Sequence, residues 1–276
     1  MTISIKQALL EGQAFITHSD TQALDAELIL LHTLNAHRNI LFTDPDKHLT
    51  QAQVTDYRSN LQRREAGEPV AYILGEQGFW DLTLNVAPHT LIPRADTESL
   101  IDWVLEQDIQ PKRILDLGTG TGAIALALAK EFPNAHVLGV DLIPQAVELA
   151  NSNKVKNQLS NVEFLQSSWF EHVPNERFDL IVSNPPYIDE LDEHLSKGDV
   201  RFEPASALIA HNHGLADLQH IANESKPFLN EGGCLLMEHG WQQAQEVRDY
   251  LQECGYKNSG SGKDLAGQWR FSYGFA

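Results

Sequence analysis

Residues 113–132 read RILDLGTGTGAIALALAKEF, and this segment sets the architecture of the 276-residue chain. An apolar run of strand length comes first, a loop with three glycines follows, and an alanine-rich helix ends the segment. Glycine lets the backbone turn tightly and lets a ligand approach where a Cβ would clash. The start of the next helix offers free N–H groups. The segment therefore predicts a strand, a glycine turn beside a ligand, and a helix.

Strands and helices alternate from about residue 96 to the end of the chain. Short apolar runs of strand length are RILDL, HVLGVD, VEFLQ, DLIVS and GCLLME, and helical segments such as PQAVELANSNK and LADLQHIANESKPF separate them. This alternation predicts an α/β fold, in which helices cover both faces of a parallel sheet. The final QWRFSYGF is expected to add an antiparallel strand.

Residues 1 to about 75 have the periodicity of three or four short amphipathic helices, which predicts a small N-terminal bundle. Ser4 and Thr50 are expected to cap the first and third helices, and the third helix is expected to stop at Gly67. The second helix is expected to have a face formed by Leu24, Leu28 and Leu31. The bundle is either a structural appendage or a module that docks a partner.

The segment EQGFWDLTLNV, residues 76–86, alternates as a strand or a β-hairpin does. Its apolar side is expected to hold Trp80, Leu82, Leu84 and Val86. The predicted organisation is a helical docking domain at 1–74, a connecting β-hairpin at 75–90 and an α/β domain at 91–276.

The chain has 20 basic and 38 acidic residues, a net charge of −18. Because phosphate neutralisation supplies most of the affinity for nucleic acids, this charge argues against direct nucleic-acid binding. It favours a basic partner, such as a protein that itself binds RNA. The two cysteines are too few for a disulfide scaffold, and neither a signal peptide nor an apolar run of membrane-spanning length is evident. We expect a cytoplasmic protein without membrane contact.

Asp141 ends the strand that follows the glycine turn at 118–122. An acid at this place in a dinucleotide-binding fold accepts hydrogen bonds from ribose hydroxyls. The Gly-x-Gly-x-Gly spacing departs from that of dinucleotide binders. Asp116 would repel a pyrophosphate but attract the amino group or sulfonium of S-adenosylmethionine, which we therefore favour over NAD. Trp169, after the third strand, is a candidate wall for the adenine ring. A non-enzymatic or NAD-binding protein is the alternative.

The strand FDLIVS runs directly into Asn184-Pro185-Pro186-Tyr187. An amide nitrogen is a poor nucleophile, because its lone pair is delocalised into the carbonyl. The Asn184 side-chain oxygen and the Pro185 carbonyl are suited to accept hydrogen bonds from an NH2 group and hold it in line with a methyl sulfonium. The prolines stiffen these acceptors, and the Tyr187 ring is suited to pack on the planar group. The motif predicts methyl transfer to a planar amide.

These residues together resemble the bacterial release factor glutamine methyltransferase family over nearly the whole chain. The similar segments are PVAYILG at 69–75, LIPRADTE at 91–98, ILDLGTGTGAIALALA at 114–129, QSSWF at 166–170, IVSNPPYI at 181–188, RFEPASAL at 201–208 and EHGWQQ at 238–243. One departure is Ala95, where the family usually has proline.

The resemblance implies a seven-stranded class I S-adenosylmethionine methyltransferase fold, which is Rossmann-like. It implies that the substrate is the glutamine in the Gly-Gly-Gln loop of class-1 peptide chain release factors, with N5-methylglutamine and S-adenosylhomocysteine as products and no metal. The substrate would be held by Asn184, Pro185, Pro186 and Tyr187, of which the first two act in catalysis. The cofactor would be contacted by Gly118, Thr119, Gly120, Thr121, Gly122, Asp141, Trp169 and Asn184.

Two related activities stay open as alternatives. One is methylation of a glutamine on a ribosomal protein, which would use the same active site. The other is adenine-N6 methylation of nucleic acid, whose target is also an NH2 on a conjugated system but requires a flipped base and a cationic surface. Arg94 and Glu98 are expected to pair with each other or to position the active-site loop. His211, His213 and His239 lack the spacing of metal ligands and are expected to be solvated or structural.

Overall fold

The computed structural model describes residues 2–196 and 198–276. It divides into two compact units. One unit comprises Met1–Glu76 with Ser196–Phe202, and the other comprises Gln77–Leu195 with Glu203–Ala276. The grouping of Ser196–Phe202 with the N-terminal residues has no counterpart in the local sequence pattern. The boundaries at 74 and 90 and the linker role of the hairpin stay predictions.

The N-terminal unit is helical, as the periodicity predicts. Its helices are α1 (Ile5–Phe15), α2 (Gln22–Leu34), α3 (Ile40–Thr43), α4 (Gln51–Glu65) and α5 (Val70–Leu74). Ser4 and Thr50 each accept a hydrogen bond from the backbone N–H three residues later, and a glutamine side chain returns the bond. Both predicted caps are thus confirmed, as reciprocal capping boxes that satisfy free donors at the helix start.

The predicted inner face of α2 is wrong. Ala26, Ile29 and Leu30 are fully buried, whereas the Leu24 side chain is 49% exposed. Asp25 also lies on the buried face, where its carboxylate accepts a 2.7 Å bond from Nε of the buried Arg64. A buried charge is tolerated when it is paired and hydrogen-bonded. The apolar pattern could not show this rotation, because the partner that buries Asp25 is 39 residues away in the sequence.

The predicted hairpin is confirmed as a separate two-stranded sheet of β1 (Glu76–Phe79) and β2 (Leu82–Asn85). Leu82, Leu84 and Val86 are buried, as expected. Trp80 does not share their side, because it lies in the turn with a φ of 56°. Its backbone N–H donates to Glu98 and its indole N–H donates to Glu131, each at 2.7 Å.

The second unit is built on one large sheet, and in the described residues this sheet has seven strands. They are β3 (Arg113–Leu117), β4 (His136–Asp141), β5 (Val162–Gln166), β6 (Phe178–Ser183), β7 (Leu229–Glu238), β8 (Lys257–Lys263) and β9 (Trp269–Phe275). Their order is β5-β4-β3-β6-β7-β9-β8. The pairs from β5 to β7 are parallel, and β9 runs antiparallel to both of its neighbours. The predicted fold class and the terminal antiparallel strand are confirmed.

The strand β8 was not predicted, because KNSGSGK has no apolar alternation. Two of its glycines face aromatic rings of β9. A Cβ on Gly260 would lie 2.4 Å from the Tyr273 hydroxyl oxygen, and one on Gly262 would lie 2.0 Å from the Phe271 ring. Glycine in a strand marks such a close approach. The rings thus supply the packing that the side chains of this strand lack.

Helices cover both faces of the large sheet. They are α6 (Glu98–Glu106), α7 (Ala123–Glu131), α8 (Pro144–Lys156), α9 (Ala216–Glu224) and α10 (Ala244–Glu253). Alternate residues of the strands enter two different cores, since side chains of a strand point to opposite faces. One core contains apolar residues of α6 and α7, and the other contains those of α9 and α10. No helix in the described part of the chain has the length and apolar character to cross a bilayer.

The direction of the chain reverses between β3 and β6. From β3 the chain continues outward through β4 and β5, and it then returns to pair β6 with the other side of β3. Open α/β sheets bind ligands at the carboxyl ends of the strands at such a switch point. The Ser183 hydroxyl at the end of β6 donates to the Leu117 carbonyl at the end of β3, at 2.7 Å. This bond holds the carboxyl ends of β3 and β6 together at the switch point.

Candidate active site

A cavity of about 260 Å³ lies at the switch point, within the second unit. Of the residues predicted to bind the cofactor or the substrate, eight line it: Gly118, Thr119, Gly120, Thr121, Asp141, Trp169, Asn184 and Pro186. Three others, Gly122, Pro185 and Tyr187, are not among the lining residues. The cavity therefore collects predicted residues that follow four different strands.

The glycine turn takes the shape that its residues permit. Gly118, Gly120 and Gly122 have φ values of 71°, 55° and 83°, in the left-handed region where a Cβ is unfavourable. The N–H groups of Gly118 and Thr119 both donate to the Val140 carbonyl at 2.9 Å. Gly122 starts α7, and a Cβ there would approach the Phe164 ring to 3.0 Å. Gly122 thus serves helix packing, while the residues before it face the cavity.

Asp141 closes the turn from the end of β4. Its carboxylate accepts one bond from the Gly120 N–H at 2.8 Å and another from the Ile143 N–H at 2.9 Å. Burial raises the pKa of Asp141, and these backbone bonds oppose the rise. The carboxylate lines the cavity and keeps lone pairs for a diol, since a carboxylate has about four acceptor positions.

Trp169 has an unusual backbone, with a φ of 47°. A bulky residue in this region is an outlier that the surrounding structure must hold in place. The Ser167 hydroxyl donates to the Trp169 carbonyl at 2.9 Å, and the Trp169 ring lies against Gly118. The strained backbone thus places the indole beside the glycine turn as one wall of the cavity.

Asp116 lies behind the turn and does not line the cavity. One of its carboxylate oxygens accepts from the Thr119 hydroxyl at 2.6 Å and from the Ala125 N–H at 3.2 Å. The other oxygen is buried and has no hydrogen-bond partner among the described residues. Burial raises the pKa of Asp116 to about 7, so the full negative charge that the sequence suggested is not present below neutral pH.

We expect Asp116→Asn to change how stability depends on pH. The folded pKa of about 7 lies above the ordinary value of 3.8. Between pH 3.8 and about 7, Asp116 keeps its proton in the folded wild type but loses it in the unfolded chain. The free energy of unfolding of the wild type therefore falls as pH rises through this range. The stability of the variant relative to wild type should therefore rise by about 1 kcal/mol per pH unit from about pH 5 to 7, then level off.

Urea denaturation across this range measures the difference. Asp108→Asn removes the same charge at an exposed position and serves as the control. Parallel pH curves for wild type and Asp116→Asn would contradict a raised pKa at this residue.

Asn184 directly follows β6 and lines the cavity. Its side-chain nitrogen Nδ2 donates to Oγ1 of Thr97 at 3.3 Å, which turns its oxygen Oδ1 away from Thr97. Thr97 was not singled out from the sequence, and it is buried just before α6. Pro185 is buried and Pro186 lines the cavity.

The Tyr187 side chain is anchored outside the cavity lining. Its hydroxyl donates to Oε1 of Glu238 at 3.0 Å, and its carbonyl accepts from the Gln243 side chain at 3.1 Å. Glu238 ends β7 and is 1% exposed. Burial raises the pKa of Glu238, while the Thr97 and Tyr187 hydroxyls and the nearby Arg270 and Arg94 oppose the rise. Sequence reasoning missed Glu238, whose only signal was an acid at the end of an apolar strand.

The expected pair of Arg94 and Glu98 is not formed. Arg94 lies 3.5 Å from the buried Glu203 carboxylate, and Glu98 accepts from the Trp80 N–H. The two residues are four apart but lie on either side of a short 3-10 turn at Ala95–Thr97, so they do not share a helix face. Arg94 lines the cavity and Glu98 does not.

The three histidines named from the sequence, His211, His213 and His239, lie outside the cavity lining. His213 is exposed and contacts the Asp189 carboxylate at 2.8 Å. His239 is fully buried, its ring bonds the Ser272 hydroxyl at 2.8 Å, and burial lowers its pKa.

Comparison with known proteins identifies the two parts of the chain. The methyltransferase domain family matches residues 110–270, and the PrmC N-terminal domain family matches residues 7–75. Among solved structures, a methyltransferase from Pyrococcus furiosus superposes with a TM-score of 0.55, at 20% identity over 80% of this chain and 98% of that one. At this identity the likeness shows the fold alone.

Relatives that match over their full length identify the family of this chain. The release factor glutamine methyltransferase of Vibrio cholerae is 49% identical over 278 residues, which cover 99% of this chain and 97% of that protein. The enzyme of the same name from Aliivibrio fischeri is 48% identical over 274 residues, covering 98% and 94%. With identity this high over the full length of both partners, the chain belongs to the release factor glutamine methyltransferase family.

Proposed function

We propose that this enzyme transfers a methyl group from S-adenosylmethionine to the side-chain amide nitrogen of the glutamine in the Gly-Gly-Gln loop of class-1 peptide chain release factors. The product is N5-methylglutamine. The names of the full-length relatives support the protein substrate. The cavity supports the cofactor and the amide chemistry.

One observation carries the proposal: an asparagine amide of fixed orientation lies on the wall that also contains the glycine turn. Asn184 donates its nitrogen to Thr97, so its oxygen is the group left to accept a bond from a substrate NH2. Asp141 and Trp169 line the same cavity. A site for a nucleoside and an acceptor for an amide nitrogen therefore adjoin each other.

The residues of the cavity fit S-adenosylmethionine. The carboxylate of Asp141 suits the ribose diol, and the Trp169 ring offers a face for adenine. Above its pKa of about 7, the Asp116 carboxylate behind the turn adds negative potential, which suits a cation better than a pyrophosphate. Because the residues of the turn with left-handed backbone are glycines, no Cβ obstructs the approach of the cofactor there. When bound, S-adenosylmethionine supplies an electrophilic methyl carbon on a positive sulfur.

The protein contributes positioning rather than a strong base. Asn184 Oδ1 and, we propose, the Pro185 carbonyl accept the two N–H bonds of the glutamine and hold its nitrogen in line with the methyl carbon. Holding reactants in such a geometry removes much of the entropic barrier. The prolines fix φ and keep both acceptors in place. No general base is needed, because the N-methylated amide loses its extra proton readily to water.

The charge of the chain supports a basic protein partner over a nucleic acid. A net charge of −18 repels a phosphate backbone and attracts a protein that itself binds RNA. We also propose the helical segment 1–74 as the docking module. Its exposed large apolar side chains, Phe42 at 76% and Leu10 at 57%, support this role. Phe42→Ser should then raise the KM for a release factor and leave kcat unchanged.

The decisive experiment offers labelled S-adenosylmethionine together with four substrates: a release factor, a ribosomal protein, DNA and RNA. We expect label in the release factor alone, and mass spectrometry should place one methyl on the glutamine of the Gly-Gly-Gln peptide. A release factor with Gln→Ala in that loop is the matched control and should stay unlabelled. Label in the ribosomal protein or in nucleic acid alone would replace the proposal with one of those activities.

A further inference from the structure

The loop at 184–187 contains two successive residues that cannot be held through their own backbone N–H groups. Pro185 and Pro186 have no N–H, so neither can donate a hydrogen bond that would fix the loop. Upstream, the loop is supported by β6, which pairs with β3 as far as Ser183. Its other support has to come from the residues at and after Tyr187.

Tyr187 and Ile188 provide this downstream support through partners that are distant in the sequence. The Ile188 N–H donates to the Leu208 carbonyl at 2.9 Å, and the Ala210 N–H donates to the Ile188 carbonyl at 3.0 Å. The Tyr187 carbonyl accepts from Nε2 of Gln243 at 3.1 Å. The downstream end of the loop is thus held by a short backbone ladder and one glutamine side chain.

Gln243 lies just before α10, and its side-chain amide bonds three separate segments. Nε2 donates to the Tyr187 carbonyl at 3.1 Å and to the His213 carbonyl at 3.3 Å. Oε1 accepts from the Gly240 N–H at 2.8 Å. A reversed amide would place its oxygen against two carbonyls and its NH2 against an N–H group. The three bonds therefore select one orientation of the amide, which joins the 184–187 loop to the turn at 211–214.

The turn at 211–214 is strained and lies against the same carbonyl. Asn212, His213 and Gly214 have φ values of 55°, 54° and 82°, whereas left-handed residues ordinarily occur singly. A Cβ on Gly214 would overlap the Tyr187 carbonyl oxygen and would lie 2.8 Å from Nε2 of Gln243. Such a backbone persists only where its surroundings hold it. The bond from Gln243 to the His213 carbonyl is one such restraint, and it places the turn, the glutamine and Tyr187 in one packed cluster.

We propose that Gln243 is a positioning residue, which locks the Tyr187 carbonyl and thereby fixes where the Pro185 carbonyl meets the substrate amide. Because φ is fixed at Pro185 and Pro186, a displacement of Tyr187 is passed on to the Pro185 carbonyl. Gln243 acts through the backbone of the loop and does not touch the substrate. The inference rests on the proposed function for its kinetic consequence. The order of the loop is a property of the protein itself and can be measured without any substrate.

Gln243→Met removes the three bonds with little change of shape, since methionine has a similar length but no N–H or amide oxygen. We expect kcat for a release factor to fall about 10- to 100-fold, because misplacing a reacting group by about 1 Å has an effect of this size. The Kd for S-adenosylhomocysteine should stay within about twofold of wild type, since Gln243 is outside the cavity lining.

The matched control is Gln245→Met, which makes the same replacement two residues later. Gln245 is exposed near the start of α10, and its side chain donates to the Asp249 carboxylate at 2.7 Å. Its replacement should leave both kcat and the Kd for S-adenosylhomocysteine unchanged. A matching fall of kcat in Gln245→Met would mean that damage to the start of α10 explains the Gln243 effect, and the proposal would be wrong.

Gly214→Ala tests the same carbonyl through the turn. The added methyl group would overlap the Tyr187 carbonyl oxygen, so we expect a fall of kcat similar to that in Gln243→Met. Gly267→Ala is the control for backbone strain and should leave kcat unchanged. Gly267 has a φ of 80°, but an added Cβ there would have no heavy atom of the described chain within 4 Å beyond its own neighbours. An equal fall of kcat in Gly267→Ala would remove Gly214→Ala as support.

The double variant of Gln243→Met and Gly214→Ala tests whether the two residues act on one group. Both single changes displace the Tyr187 carbonyl, so the double variant should lose little more kcat than either single variant. Fully additive losses would contradict action through a shared carbonyl.

Hydrogen exchange measures the order of the loop without any substrate. The N–H groups of Ile188 and Ala210 form the ladder beside Tyr187, so we expect them to exchange slowly in wild type. Their exchange should be at least about tenfold faster in Gln243→Met and unchanged in Gln245→Met. Amides within β6 should exchange as in wild type in both variants, which shows that the sheet is intact.

Three results would overturn the inference. They are a kcat within about twofold of wild type in folded Gln243→Met, a loss of cofactor affinity as large as the loss of kcat, or unchanged exchange at Ile188 and Ala210. If wild type leaves release factors unmethylated, the proposed function fails instead. The exchange measurement then still decides whether Gln243 fixes the loop.

Discussion

Asn184→Ala should lower kcat for methylation of a release factor about 100- to 1,000-fold. Losing one preorganised hydrogen-bonding group from an active site has an effect of this size on kcat. In the variant the substrate amide loses the acceptor that holds its NH2 in line with the methyl carbon. The fold should survive, since in the described structure the Asn184 side chain hydrogen-bonds only Thr97. Single-turnover kinetics with labelled cofactor measures the rate without interference from product release.

Asn184→Asp is the matched variant for this prediction. It keeps an oxygen acceptor at the same place but loses the NH2 that bonds Thr97. We expect its rate to lie between those of Asn184→Ala and wild type. Near-normal turnover in Asn184→Ala would remove Asn184 from the catalytic role, whatever the Asp variant does. A circular-dichroism melt verifies that each variant is folded.

Asp141→Ala should weaken the binding of S-adenosylmethionine by at least about 100-fold. A hydrogen bond to a charged group contributes about 1.5 to 3 kcal/mol, and the carboxylate is expected to accept two from the ribose. The same change also frees the Gly120 N–H, which now donates to this carboxylate at 2.8 Å. Both effects act in the same direction, because the loop loses its anchor and the ribose loses its acceptor. Isothermal titration calorimetry with S-adenosylhomocysteine gives the Kd without turnover.

Asp141→Asn distinguishes the two effects. Its single side-chain oxygen can still accept from the Gly120 N–H, so the glycine turn should stay in place, while the bond from the Ile143 N–H and one ribose bond are lost. We expect a Kd between those of wild type and Asp141→Ala. An unchanged Kd in Asp141→Ala would contradict the ribose assignment. Tight binding of NAD by wild type, with no binding of S-adenosylhomocysteine, would contradict the choice of cofactor.

Local patterns predicted the helix caps and the alternation of strands and helices better than they predicted which helix face is buried. Ser4 and Thr50 cap their helices through residues three positions away, so the whole interaction lies within one short window. The buried face of α2 depends instead on Arg64, which lies 39 residues after Asp25. Periodicity alone places an aspartate on the solvent side of a helix. No local signal shows that the Arg64 guanidinium will be buried beside Asp25.

The same distinction holds in the site. The glycine turn and Asn184 were predictable because a strand end and the residues after it fix their place on the sheet edge. Thr97 and Glu238 were not, since neither belongs to a local motif and each bonds a residue distant in the sequence, Thr97 to Asn184 and Glu238 to Tyr187. The expected ion pair of Arg94 and Glu98 was wrong for a related reason: the helical spacing that would unite them is broken by a 3-10 turn.

The amino-acid sequence by itself determined the alternation of strands and helices, the left-handed glycine turn, and the placement of the Asn-Pro-Pro-Tyr motif after its strand. These follow from backbone sterics and side-chain period, which act over a few residues. Only the tertiary structure decided which polar side chains are buried together, and hence that β8 exists and that Asn184 meets Thr97. Burial of a polar group is stable only beside its partner, and that partner is brought there by packing across the whole domain.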